Sequence, residues 1–70
     1  MIPRKLYDFI AAKWHARQRR IDMQILWPLC VKQASSADHA KAAFALHAYN
    51  DPAWTCLGED EIYRIIEGLQ

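Results

Sequence analysis

From Tyr7 onward, the apolar residues Tyr7, Ile10, Trp14, Ile21 and Ile25 recur at helical intervals. At about 100° per residue they fall within one narrow arc, with Leu6 at its edge. The pattern predicts an amphipathic helix that starts at Pro3 or Arg4 and turns this stripe toward a core. A proline is tolerated there because a first-turn amide has no intrahelical partner to lose. No glycine interrupts residues 4–26. Pro28 then removes a donor, and its ring meets the carbonyl of Gln24. A kink or break is expected near Leu26–Trp27, with a further turn or two of helix through Val31–Gln33. An unbroken helix over residues 4–33 would be about 45 Å long, too long for so small a globule.

Ser35-Ser36 ends this element and caps the next, and Ser35 with Asp38 has capping-box spacing. A second helix is expected from about Ala37 to Tyr49. Ala37, Ala40, Phe44, His47 and Ala48 share one face, while Ala42, Leu46 and Tyr49 lie on another. Apolar groups on two sides predict a central, well-covered helix. Asn50-Asp51-Pro52 stops it. Asp-Pro reads as a cap followed by a first-turn proline, so Pro52–Cys56 is expected to form one short helical turn that sets Trp54 against the core.

The last helix has the strongest pattern. Gly58 stands at its cap, and Glu59, Asp60 and Glu61 fill the first turn, where the helix dipole favours acids. Leu57 and Ile62 have hydrophobic-staple spacing. Ile62, Ile65, Ile66 and Leu69 repeat at i, i+3, i+4 and i+7. No segment alternates with period two, so no sheet is expected. The predicted fold is all-α: one domain over residues 1–70, built as a compact three-helix bundle.

Composition supports a core without enlarging it. The chain has 70 residues, 53% of them hydrophobic, enough for one domain with a thin stability margin. Two cysteines, Cys30 and Cys56, are fewer than a small secreted domain usually carries. The first residues lack the apolar stretch of a signal peptide, and no apolar run is long enough to span a membrane. A cytoplasmic protein with free thiols is expected, ahead of one with a Cys30–Cys56 bridge.

Charge is distributed unevenly. Residues 1–35 carry seven Lys/Arg against two acids, and residues 36–70 carry two against six. Lys13, Arg17 and Arg20, spaced i, i+4, i+7, form a basic row beside the apolar stripe and next to Trp14. Arg4, Lys5, His15 and Arg19 form a second arc on the far side. Such rows meet an acidic protein groove or neutralise phosphates. The bland alternative is a solvated face whose long stems cover the core, with the basic first helix packed beside the acidic last one.

Other chemistry is weakly supported. A helix-turn-helix would present either an acidic third helix or a second helix offering only Lys41, so a conventional groove reader is not expected. Cys30, Cys56, His15, His39 and His47 lack the short paired spacings of a zinc site. No metal and no cofactor is therefore expected: the cysteines read as small apolar fillers, His47 as a core or rim hydrogen-bonder and His39 as a surface residue. Cys56 with His47 is the least unsuitable nucleophile pair, but nothing supplies oxyanion donors or an orienting acid. The chain is expected not to be an enzyme. Of the many aromatic residues, Trp27 beside Pro28 and Tyr63 off the isoleucine stripe are expected to be partly exposed, as interface aromatics often are.

Tyr7-x-Phe9-Ile10, Trp14, Arg19-Arg20, Leu26-Trp27-Pro28, Ala43-Phe44, His47-Ala48, Asp51-Pro52-Ala53-Trp54 and Leu57 together resemble short proteins of tailed phages and prophages. That resemblance implies a protein that binds and redirects a host factor. The leading expectation is thus a non-catalytic helical module that binds another protein, with Lys13, Arg17, Arg20 and Trp27 as contacts. The alternatives are a nucleic-acid binder using the same bases, and a structural subunit or homodimer of a larger assembly.

Overall fold

A computed structural model describes residues 3–70. Five α-helices follow in order: α1 (Arg4–Ile21), α2 (Trp27–Gln33), α3 (Ala37–Ala48), α4 (Pro52–Thr55) and α5 (Glu59–Glu67). No strand occurs among the described residues. The all-α bundle of three main helical elements expected from the pattern is present, with the short turn at Pro52 as its fourth piece.

Where a kink or break is expected near Leu26–Trp27, the helix changes its winding but is not interrupted. Between α1 and α2 lies one π-helical turn, Asp22–Leu26, and the chain runs helically from Arg4 to Gln33. Asp22, Leu26 and Trp27 all keep right-handed helical backbone angles. The Trp27 amide donates to the Asp22 carbonyl, five residues back. Such a turn holds one extra residue and is wider than an α-turn. Placed just before Pro28, it leaves room for the ring that would otherwise press on the Gln24 carbonyl. Proline is therefore accommodated, and residues 4–33 form one helix of about 45 Å after all. It sets the shape of the molecule, 49 × 22 × 17 Å with a radius of gyration of 13.7 Å. A compact chain of this length would have a radius near 11 Å.

The extra residue also steers side chains. Without it, the α1 phase would turn Trp27 away from the face that carries Ala11, His15 and Arg19. With it, the helix lags by roughly 100° and Trp27 enters the core. Trp27 is only 8% exposed, which overturns its expected exposure and removes it from the set of surface contacts.

The core is built around Phe44 on α3. Trp27 meets its ring edge-on at 5.8 Å and 87°, and Trp54 does so from the other side at 5.3 Å and 86°. Edge-to-face pairs contribute about 0.5–1.5 kcal/mol each beyond their burial. Ala40, Ala48, Ala53, Ile62, Ile66 and Leu69 complete the cluster. The small residues on α3 let its neighbours close on Phe44. The second apolar face of α3 is not covered: Leu46, Ala42 and Tyr49 are exposed.

Local signals explain the remaining ends. Ser36, rather than Ser35, caps α3, its hydroxyl accepting from the His39 amide at 3.1 Å. Asp51 caps α4 by accepting from the Ala53 amide at 2.8 Å. Gly58 has φ +88°, a conformation other residues rarely adopt, and opens α5 in front of its three acids. Ile62, Ile66 and Leu69 are buried and Ile65 partly so, as the i, i+3, i+4, i+7 spacing requires. Tyr63 is exposed, as expected. No described helix is long and apolar enough to cross a membrane.

Candidate functional site

The stripe predicted to face the core faces outward instead. Tyr7, Ile10, Trp14, Ile21 and Ile25 are all exposed, Trp14 at 65% and Ile25 at 59%. Leu6 and Phe9 are exposed beside them, and α1 buries no residue. The reason lies in the partner that α1 finds. It packs on the four-residue α4, which is too short to cover a helix of five turns. Ala11, His15 and Arg19 turn toward α4 and the loop after it, around Cys56 and Leu57. The contact is fixed by the Arg19 guanidinium, which donates to the Ala53 carbonyl at 2.6 Å and approaches the Cys56 sulfur at 3.5 Å. Arg19 and His15 therefore belong to the packed side of the helix, not to a far-side basic arc.

Lys13, Arg17 and Arg20 are exposed and stay together along one edge of the stripe. The Lys13 ammonium lies 5.1 Å from the centroid of Phe9, and the Arg17 guanidinium carbon 5.9 Å from that of Trp14. Cations at this range over a ring are attracted by about 0.5–1 kcal/mol when exposed. Lys13, Trp14 and Arg17 thus form a preset surface cluster. No ion pair among the described residues joins these bases to α5. Among the described residues the acids there are met only by Arg64, which lies 3.7 Å from Glu61. The basic helix does not pack beside the acidic one. Lys41, the base considered for a groove-reading second helix, donates to the Glu67 carbonyl at 3.3 Å instead.

A second constellation, unforeseen from the sequence, centres on Asp22. This acid on the long helix is 5% exposed. Its carboxylate accepts from Trp54 Nε1 at 2.8 Å, His47 Nε2 at 2.9 Å and Gln18 Nε2 at 3.0 Å. Burial pushes the Asp22 carboxyl up, but the three donors and the charge of His47 together outweigh it and hold it below its ordinary value. One signal was available: Asp22 is an acid in the basic half, four residues after Gln18.

Asp22, His47 and Asp51 hold ligand-type atoms within 4.8 Å of one another, near enough for one small cation. The atoms are already engaged. Trp54 and His47 donate to the same Asp22 oxygen. The Asp51 carboxylate caps α4 through one oxygen and lies 3.5 Å from His47 through the other. A cation would have to displace donors that hold the long helix, α3 and α4 together. The cluster is a structural pin.

Neither do Cys56 and His47 form a nucleophile pair. The Cys56 thiol donates to the Ala53 carbonyl at 3.4 Å, while His47 is held by the two aspartates. His47 is the rim hydrogen-bonder expected of it, and His39 is exposed with Nδ1 3.1 Å from the Ser35 hydroxyl. Cys30 and Cys56 are both free, and Cys56 is exposed rather than an apolar filler. Comparison with known protein families, with curated proteins and with solved structures returns no match to this chain.

Proposed function

We propose that this chain is a non-catalytic protein-binding module that docks its partner along α1. The observation that carries this reading is the uncovered row Tyr7, Ile10, Trp14, Ile21 and Ile25, with Lys13, Arg17 and Arg20 along its edge. Contiguous exposed apolar surface of this kind marks interaction sites. Aromatic and arginine side chains side by side are the usual anchors of protein interfaces. The role implied by the phage-protein resemblance, occupying and redirecting a host protein, needs only such a surface.

Magnitudes set the class of complex. Five half-exposed large side chains gain about 1–2 kcal/mol each when covered. Association costs about 4–15 kcal/mol in lost freedom before any net affinity appears. The stripe alone supports a weak complex, and the bases beside it must contribute for a tight one. A homodimer would use the same stripe and is the second reading. Phosphate binding by the three bases draws no support from the apolar row beside them.

The test is capture from the native cell with tagged wild type, Trp14→Glu, and the triple reversal of Lys13, Arg17 and Arg20 to Glu. Far-UV circular dichroism should be the same for all three, because every changed residue is exposed. Capture of a defined protein should be lost in both variants. Retention of the same protein by both would refute the assigned face.

A further inference from the structure

The place of Arg17 bears on what occupies the stripe. It follows Trp14 by three residues and precedes Ile21 by four, so of the three bases on that edge it stands nearest the apolar row, midway along its length. Its guanidinium is held beside the Trp14 ring. Lys13 and Arg20 lie on the same flank, while the opposite flank of the stripe closes onto α4 through Ala11, His15 and Arg19. An occupant therefore meets apolar side chains along about 27 Å from Tyr7 to Ile25, one cation bordering them at mid-length and two more farther out on the same edge.

We infer that the occupant is an amphipathic helix of another protein, about 18 residues long, with a carboxylate near the middle of its apolar seam and further carboxylates along one flank. This rests on the docking reading above. Arg17 gives the seam its selectivity, because a guanidinium pairs with a carboxylate through two parallel N–H···O bonds. Lys13 and Arg20 set which way round the helix lies.

A second copy is a poorer occupant. If two α1 stripes pair in parallel, Arg17 lies opposite its own counterpart. If they pair antiparallel with Tyr7 against Ile25, the two arginines sit about 3 Å apart along the axis at the centre of the seam. Like charges brought together in an interface cost several kcal/mol, comparable with what the apolar stripe supplies. A lipid surface draws on a polar face rich in bases, and here His15 and Arg19 are turned to the rest of the fold.

The test uses the full chain and two synthetic helical peptides of 21 residues with leucine seams. One carries glutamate at the seam centre and along one flank. The other carries lysine at the same positions. Calorimetry should show the acidic peptide binding wild type at least tenfold more tightly, and Arg17→Glu should reverse that order. Sedimentation of the wild-type chain alone should give a monomer. Equal binding of the two peptides, or binding of neither, overturns the inference. So does a dimer that Ile21→Glu converts to monomer, although the docking stripe itself then stands with a different occupant. Tighter binding to phosphatidylserine vesicles or to a 20-base-pair DNA duplex than to the acidic peptide overturns both readings. Native capture retained by both Trp14→Glu and the triple reversal sinks the docking reading separately.

Discussion

The indole nitrogen of Trp54 donates to the carboxylate of Asp22 at 2.8 Å, joining the four-residue α4 to the π-helical turn of the long helix. Both groups are nearly fully buried. The indole fills the core beside Phe44 while its one polar atom is satisfied by an acid from a different element. The same carboxylate takes His47 from α3. A single side chain therefore fixes the relative placement of three elements, where apolar packing alone would tolerate sliding.

Replacing Asp22 by alanine should cost about 2–4 kcal/mol, because it leaves the buried Trp54 donor without an acceptor. A domain of this size has about 4–10 kcal/mol of stability in total, so the loss is a large share. Asp22→Asn keeps one oxygen for Trp54 and His47, which share an acceptor, but turns its amide group toward the Gln18 donor and gives up the charge, and should lose less. Urea unfolding followed by tryptophan fluorescence measures both. An alanine variant within 0.5 kcal/mol of wild type would remove Asp22 from its structural role.

The same carboxylate predicts how stability responds to acid. Asp22 is held below its ordinary value in the folded state, after burial and the donors from Trp54, His47 and Gln18 are set against each other. Its contribution is fully present above the unfolded value of about 3.9 and is lost as pH falls from there through the folded value. The urea midpoint should fall below about pH 4 more steeply in wild type than in Asp22→Asn, which lacks the titrating group. Identical acid slopes would count against the assignment.

Much of this fold is legible in the chain because its signals are local. Asp51-Pro52 announces α4, Gly58 with three acids announces α5, and the spacing Ile62, Ile65, Ile66, Leu69 identifies the face it buries. What misleads is the long helix, where two apolar patterns are interleaved. The stripe from Tyr7 to Ile25 is the more conspicuous but is exposed. The row that enters the bundle, Met23, Leu26, Trp27, Cys30 and Ala34, only comes into phase with Ala11, His15 and Arg19 through the π turn. Period alone ranks a stripe by its hydrophobicity, whereas burial depends on which neighbour is long enough to cover it. Of the bases singled out, Lys13, Arg17 and Arg20 are on the surface together; the ring beside them is Trp14, and Trp27 is in the core.

The division between the two aromatic sets gives a paired prediction. Phe44→Ala should cost about 3–5 kcal/mol, since it empties the space between Trp27 and Trp54. Tyr7→Ala and Trp14→Ala should each change stability by no more than about 0.5 kcal/mol in the isolated chain. Thermal melts of the three variants decide it. A Trp14→Ala loss as large as that of Phe44→Ala would mean that the stripe is buried.

The π turn itself can be tested by counting residues. Gln24 lies in the turn and its side chain is exposed. Deleting it removes the extra residue, so the helix returns to α spacing and everything after it rotates by roughly 100° relative to α1. Asp22 and Trp27 then cannot both reach the bundle. Either the Asp22 carboxylate leaves Trp54 and His47, or the Trp27 ring leaves Phe44. Pro28 is also driven back against the carbonyl four residues before it, at a further cost of about 3 kcal/mol. The deletion should therefore unfold the domain or collapse its near-ultraviolet circular dichroism, which reports the packed tryptophans. Gln24→Ala keeps the residue count and should stay within about 0.5 kcal/mol of wild type. If the deletion and the substitution behaved alike, the side chain rather than the inserted residue would matter. The phase correction would then not be what brings Trp27 into the core.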